Sequence, residues 1–141
     1  MATELAEPRA LVVRITAEAD LILVRQTLRS EAIAAGLGLV DQTKVVTAGS
    51  ELARNILTYA TGGRGDVRIE QVHAGERRGG RATFHDDGPG IEDIDLAIRD
   101  GFSTRGSLGL GLPGSKRLVD EMTVTSARGT GTTVVIVKWK R

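Results

Sequence analysis

The order of sequence patterns along this chain predicts an α+β fold, a two-layer α/β sandwich with helices on one face of a mixed sheet. One strand-like run is followed by two segments with apolar residues at helical spacing. A strand pair, a glycine-rich stretch, a third helix and a last strand pair come after them. Apolar residues make up 40% of the chain and aromatic residues only 3%, so we expect a core of Val, Leu, Ile and Ala.

The first half of the chain contains one strand and two helices in this interpretation. The β-branched run Leu11–Ile15 predicts the strand. Apolar residues at helical spacing then predict helices from about 17 to 35 and from about 41 to 59. Gly36 and the pair Gly62-Gly63 are the expected ends of these helices.

The second half is richer in glycine. A strand pair is predicted at 67–72 and 81–84, with a solvated hairpin loop over 75–80 that carries Arg77 and Arg78. The remaining expected elements are a mobile polar segment over 86–111 with a short helix near 93–99, a helix over about 112–121, and strands at 123–126 and 132–139.

Charge and residue counts exclude several classes of protein. Nineteen basic and eighteen acidic residues give a net charge of +1, which predicts no nucleic-acid partner. The chain has no cysteine, which excludes disulfides and thiolate catalysis, and its two histidines are too few for a typical histidine metal cluster. No apolar run approaches the roughly 18 residues of a membrane helix, and none resembles a signal sequence. We therefore expect a cytoplasmic protein with no membrane partner.

A first candidate segment lies on the second helix. Glu51 and Asn55 are four residues apart, so they share one line with Thr58 at the border of the apolar stripe. Side chains at that border can be half shielded from water, which suits a proton acceptor and a magnesium ligand. Taken alone, the same residues are more typical of a solvated helix edge.

Two further candidate segments are rich in glycine. The turn 86–90 offers the Asp86 carboxylate as an acceptor for an exocyclic amine, while Gly88 and Gly90 let the backbone approach a purine. The stretch 106–111 leads into a helix, whose N-terminal N–H groups can bind phosphate. Taken alone, these segments also fit an ordinary turn and a flexible loop.

Familiar nucleotide motifs do not account for the third segment. Residues 109–114 match G-x-G-x-x-G, but no strand precedes them and no acidic residue ends the strand after the next helix. Ser115 stands where a Walker motif needs lysine. The strand lysine and the His-Arg-Asp loop of ordinary protein kinases are also missing from the sequence.

In their order and spacing, the three segments resemble the N, G1 and G2 boxes of the gyrase, chaperone, histidine kinase and MutL superfamily of ATPases, the Bergerat fold. Residues 129–132 resemble its final adenine-side Gly and Thr. The resemblance implies ATP and Mg²⁺ as cofactors, with Glu51 as the base, Asn55 as the Mg²⁺ ligand and Asp86 as the reader of the adenine amine. The residues implied to line the nucleotide are Gly88, Gly90, Gly109, Gly111 and, near the base, Thr132.

The expected ATP lid spans about 91–108. Arg105 lies in it, where a cation can close over the γ-phosphate, and a solvated loop arginine is an equal alternative.

Two phrases point to one group within the superfamily. Residues 101–104 (Gly-Phe-Ser-Thr) and 111–114 (Gly-Leu-Pro-Gly) resemble the small stand-alone serine kinases of the bacterial stressosome, in the group that includes anti-sigma factors. From the length of 141 residues we expect neither phosphoacceptor helices nor a large transducer domain. The likeness begins near Leu11, so we expect a tail over 1–10 and a single kinase domain over 11–141.

The resemblance also implies partners. The substrate would be a serine or threonine of a STAS-domain antagonist or stressosome scaffold protein. The protein would then activate a metal-dependent serine phosphatase in a partner-switching cascade. The alternatives are an anti-sigma factor and an ATP-dependent binding switch without catalysis.

Overall fold

The computed structural model describes residues 10–59, 64–88, 108–127 and 131–141, in which the predicted strands and helices occur in the predicted order. The α+β class is confirmed. The expected short helix near 93–99, most of the expected lid and most of the N-terminal tail lie outside the described residues. The elements are β1 (Leu11–Ile15), α1 (Ala19–Ala34), α2 (Leu39–Tyr59), β2 (Gly65–Ala74), β3 (Arg77–Asp86), α3 (Leu108–Leu118), β4 (Glu121–Ala127) and β5 (Gly131–Trp139).

The five strands form one sheet in the order β1-β2-β3-β5-β4, and each neighbouring pair is antiparallel. The prediction of a mixed sheet is wrong in this detail. Strands β1, β3 and β4 run in the same direction, but β2 and β5 lie between them. The chain between β3 and β4 crosses over one strand position, and β5 fills that position by folding back from β4. Parallel strands among those described are therefore never neighbours.

The helices and one face of the sheet share an aliphatic core. Successive side chains of a strand face opposite sides, so every second strand residue points toward the helices. Val67 and Ile69 of β2, for example, are 0% and 2% exposed. Phe84 is the one aromatic side chain of this core cluster among the described residues, as the aromatic-poor composition predicted. No helix in the described ranges combines the length and apolar character that crossing a membrane requires.

The hairpin between β2 and β3 corrects the predicted loop. Both strands continue to a turn at Gly75 and Glu76, so Arg77 and Arg78 lie on β3. The sequence predicts a loop at Gly79, but this glycine is buried on β3, and a Cβ there would lie 2.8 Å from Cε3 of Trp139. Glycine is needed at this position for close packing between β3 and β5. Turn propensity alone predicts a loop here, because it does not include that contact.

The three arginines on β3 of this hairpin all have partners. Arg77 lies over the Trp139 ring at 4.2 Å from its centroid, and Arg81 is 2.9 Å from a carboxylate oxygen of Glu70. Arg78 donates to the Ala34 carbonyl oxygen at 2.9 Å, at the end of α1. These contacts join the hairpin to β5 and to the helix layer, so the cluster belongs to the folded scaffold.

A buried charge cluster fixes the N-terminal end of α2. Lys138 of β5 has a side chain only 4% exposed, and its Nζ lies 3.5 Å from Asp41 Oδ1 and 3.6 Å from Asp120 Oδ1. Arg141 pairs with the same two carboxylates. Partial burial pushes the pKa of Asp120 upward, but the Trp139 N–H, Lys138 and Arg141 outweigh it and hold that pKa below its ordinary value. The cluster anchors the helix that carries Glu51 and Asn55 further along.

Candidate functional site

Asp86 is the last residue of β3, at the end of the sheet where β2 begins. In the sheet register it stands between Gly65 of β2 and Thr132 of β5. Its side chain shares the helix-bearing face with Phe84, because side chains two apart along a strand point the same way. The carboxylate therefore lies at the border of the core, on the side from which the helices approach.

The surroundings of Asp86 shield its carboxylate partly from solvent. Asp86 is half-buried, and its Oδ1 accepts a hydrogen bond from the Gly88 N–H at 2.7 Å. Burial raises the pKa of its carboxyl above the ordinary value, while the Gly88 N–H, the charge of His85 and a backbone bond from Thr132 oppose that rise. A hydrogen bond from a ligand amine is stronger in such a place than in open water.

Two glycines bring backbone close to Asp86. Gly131 has a φ of +90°, and a Cβ there would overlap the Asp86 carbonyl oxygen. A Cβ at Gly65 would overlap the His85 carbonyl oxygen and lie 2.8 Å from Cγ2 of Ile56. We call this end of the sheet, formed by Gly65, Asp86 and Gly131, the cradle. Gly65 was missed in the sequence, because the glycines before it gave the whole run the character of a loop.

Helix α2 presents the predicted base and metal ligand beside this cradle. Ile56 faces the core at 2% exposure, while Asn55 is half-buried and Glu51 is exposed. Because Ile56 is the residue that packs against Gly65, Asn55 is adjacent to the contact that joins α2 to the cradle. Glu51 lies about one helical turn further back on the same line. The structure thus brings Asn55 and Asp86 to the same end of the molecule.

Helix α3 begins at the glycine-rich segment, whereas the sequence predicted a flexible loop up to Gly111. Residues 108–111 form its first turn. Glycine and Pro113 disfavour a helix, so propensity placed the start too late; the packing of Leu112, 2% exposed, offsets that cost. The first four N–H groups of an α-helix have no partner within the helix. The backbone of Gly109 and Gly111 is therefore placed where a helix binds an anion.

A buried hydroxyl fixes α3 against α2. Ser115 is 1% exposed, and its Oγ donates to the Ala48 carbonyl oxygen at 3.2 Å. Ala48 lies three residues before Glu51, so this bond sets the glycine-bearing turn relative to the predicted base. Sequence reasoning missed this role of Ser115. A signal was present, because Ser115 lies three residues after Leu112 on one helix face, and a polar group in a core stripe needs a partner.

Hydroxyl groups border the cradle on the side of β4 and β5. Thr132 is half-buried, and its Oγ1 lies 3.0 Å from Ser126 Oγ. Ser126 Oγ also donates to the Gly131 carbonyl oxygen at 3.1 Å. Two other predicted site residues, Gly90 and Arg105, lie outside the described residues.

The groups at this end of the molecule fit a magnesium nucleotide. At the cradle a Cβ on either glycine would overlap the backbone at the end of β3, and a half-buried carboxylate lies at the same place. Mg²⁺ takes oxygen ligands, commonly one or two from the protein and the rest from water and phosphate. Asn55 and Glu51 offer such oxygens on one helix face.

Comparison with known proteins agrees with this geometry. A two-layer sandwich with an acidic-amide helix, an Asp-Gly turn and a glycine-rich helix start at one end defines an ATP-binding domain of the Bergerat type. The chain belongs to the histidine kinase-, DNA gyrase B- and HSP90-like ATPase family, whose pattern matches residues 40–141.

One relative narrows the class further. The chain is 49% identical over 129 residues to the serine/threonine-protein kinase RsbT of Bacillus subtilis (strain 168), which covers 92% of this chain and 96% of that protein. The predicted resemblance is confirmed. The predicted class of enzyme, an ATP-dependent protein serine/threonine kinase, is confirmed with it.

Proposed function

We propose that this protein transfers the γ-phosphoryl group of ATP to a serine or threonine of a partner protein, with Glu51 as the base. Glu51 takes the proton of the acceptor hydroxyl, and the hydroxyl oxygen bonds to the γ-phosphorus. The bond from that phosphorus to the β-γ bridging oxygen breaks, and ADP leaves with the electron pair. Bound at Asn55, Mg²⁺ would supply charge neutralisation on the phosphates. The exposure of Glu51 supports this role, because a protein substrate must reach the base from solvent.

The adenine and the phosphates of the nucleotide bind to different residues. Asp86 accepts from the adenine amine, and Gly88, Gly90 and Thr132 border the base. The N–H groups of Gly109 and Gly111 bind phosphate, and Arg105 closes over the γ-phosphate from a lid over about 91–108. The observation that carries the proposal is the half-buried Asp86 in a cradle to which α2 is packed through Ile56.

The proposed partners follow from the likeness to RsbT-type switch kinases. The substrate is a STAS-domain antagonist or stressosome scaffold protein. The released kinase then activates a metal-dependent serine phosphatase in a partner-switching cascade in the cytoplasm, acting as a single domain over 11–141. The 49% identity over 92% of the chain supports the kinase activity on which these partners depend.

The test is transfer of labelled phosphate from ATP to a purified STAS-domain protein. Glu51→Gln keeps the size and polarity of the side chain and removes the base. We expect a rate loss of about 10²-fold or more, as is usual for a general base. Glu76→Gln is the matched control, because Glu76 is an exposed glutamate in the β2–β3 turn, at the opposite end of β2 from the cradle.

Three results would contradict the proposal. Equal label transfer by Glu51→Gln and the parent protein would remove Glu51 from the chemistry. Nucleotide-dependent binding of a sigma subunit, with no label transfer to any STAS-domain protein, would favour the alternative that the protein is an anti-sigma factor. ATP-dependent binding of the STAS-domain protein without transfer would favour the non-catalytic switch.

A further inference from the structure

The face of the sheet opposite the described helices carries a second row of polar residues directly behind Asp86. The register aligns Asp66 of β2, His85 of β3 and Thr133 of β5 in this row. His85 precedes Asp86 on the same strand, so its ring lies on the face opposite the Asp86 carboxylate. His85 therefore contacts the turn after β3 from the face of the sheet opposite the Asp86 carboxylate.

The His85 ring joins this turn to β5. Its Nδ1 lies 2.9 Å from Thr133 Oγ1, and its Nε2 lies 3.3 Å from Asp87 Oδ1. Asp87 is the residue between Asp86 and Gly88, whose N–H holds Asp86 Oδ1 at 2.7 Å. The turn is thus held by the ring on one face of the sheet and by the Asp86–Gly88 bond on the other.

The charged neighbours of the ring come from the end of β3 and from β2. Asp87 lies beside it, and Asp86, the next residue of β3, interacts with its charge from the other face. Asp66 is its register partner on β2, and Arg68 is the next residue of β2 on the same face as Asp66. Beyond Asp66, Arg14 of β1 is in register with it. On β5 the neighbour is the uncharged hydroxyl of Thr133.

Protonation of the ring strengthens only one of its two contacts. A charged ring is attracted to the Asp87 carboxylate, whereas the contact with Thr133 persists in both protonation states. The ring and the carboxylate are 44% and 82% exposed, so water and salt screen the pair. Pairs of this kind change an equilibrium by factors of a few.

We propose that His85 is a positioning residue for ATP binding, which holds the 86–88 turn from the face opposite the described helices most firmly when its ring is protonated. The inference rests on the proposed function and deepens it. Asp86 remains the group that meets the nucleotide. His85 acts through Asp87 by favouring the turn conformation in which the Asp86 carboxylate is presented to the cradle.

The test is ATP binding by calorimetry from about pH 5.5 to about pH 8.5, the range in which histidine changes charge. The full chain is compared with His85→Gln and His73→Gln. The chain has two histidines, and His73 is exposed near the β2–β3 turn, so His73→Gln is a matched control. The measured quantity is the ratio of variant Kd to parent Kd at each pH, because the titration of ATP itself cancels in that ratio.

For His85→Gln we expect a ratio of about five near the acid end that shrinks to about two at the alkaline end. For His73→Gln the ratio should stay near one. Asp87→Asn keeps the ring and its contact with Thr133 and removes the charged partner. It should reproduce the acid-side loss, and it provides a second variant if His85→Gln folds poorly.

Two results would overturn the inference while leaving the nucleotide site intact. One is a His85→Gln ratio that stays near one at every pH. The other is a raised ratio that does not change with pH, because a purely structural defect acts equally across the range. A parent protein that binds no ATP would overturn the proposed function, and this inference with it.

Discussion

The backbone of Gly131 lies against the carbonyl group of Asp86 more closely than a residue with a Cβ could lie. Gly131 also has a φ of +90°, a conformation that side chains other than that of glycine rarely adopt. Two independent requirements therefore select glycine at the start of β5. One requirement is the positive φ with which the chain enters β5. The other is the close approach of the Asp86 carbonyl group at the end of β3.

Gly131→Ala should lower the free energy of unfolding by about 2–4 kcal/mol, because it adds both strain and overlap. Gly75→Ala separates the two effects, since Gly75 has a φ of +63° and nothing within 4 Å of a Cβ. That control should cost about 1 kcal/mol from strain alone. Urea unfolding measures both changes. Equal losses in the two variants would show that the approach to Asp86 is not tight.

Ser115→Ala should slow phosphate transfer more than it weakens ATP binding. The substitution removes the hydroxyl that joins α3 to the Ala48 carbonyl, and it should cost about 1–3 kcal/mol of stability because that buried carbonyl loses its side-chain partner. The glycine-bearing turn then moves relative to Glu51, so the alignment for transfer suffers most.

Ser50→Ala is the comparison for that prediction. The Ser50 hydroxyl donates at 2.7 Å to the Val46 carbonyl oxygen of its own helix, and its loss leaves the packing of α2 and α3 intact. Transfer rate and ATP affinity are measured for both variants. If Ser115→Ala lowered the transfer rate no more than Ser50→Ala does, the hydroxyl would have no positioning role.

Asp120→Asn should make the free energy of unfolding fall less steeply as the pH is lowered. The pKa of Asp120 is lowered in the folded protein, so its contribution is present above the unfolded value of about 3.9 and is lost as the pH falls through the folded value. The asparagine side chain does not titrate, and it also weakens the pairing with Lys138 at every pH.

Urea midpoints from about pH 6 down to about pH 3 test this prediction, and the slope against pH is the quantity compared. An acid slope in Asp120→Asn as steep as in the parent would show that other carboxylates account for the acid sensitivity.

The elements predicted correctly are those decided by local sequence. The run Leu11–Ile15 is β-branched, and the stripe of α2 repeats at helical spacing over twenty-one residues, so each pattern is complete within its own segment. The four-residue spacing of Glu51 and Asn55 placed them on one line of a helix for the same reason.

The errors arose where distant contacts override local preference. Trp139, sixty residues later in the chain, explains why β3 needs a glycine at position 79. The packing of Leu112 explains why α3 starts earlier than predicted. The contact of Gly65 with Ile56 likewise depends on which helix covers which strand. Propensity describes one segment at a time, so none of these pairings can be derived from it.

The ATP affinity of Asp86→Asn at neutral pH is the most direct test of the site. Asparagine keeps the shape of the side chain but replaces one acceptor oxygen of a half-buried carboxylate with a donor. We predict a Kd for ATP raised by about tenfold or more. Asp120→Asn, which perturbs the charge cluster at the other end of β5, should bind ATP as the parent does while folded. Equal affinity in Asp86→Asn and the parent would contradict the assignment of the cradle as the nucleotide site.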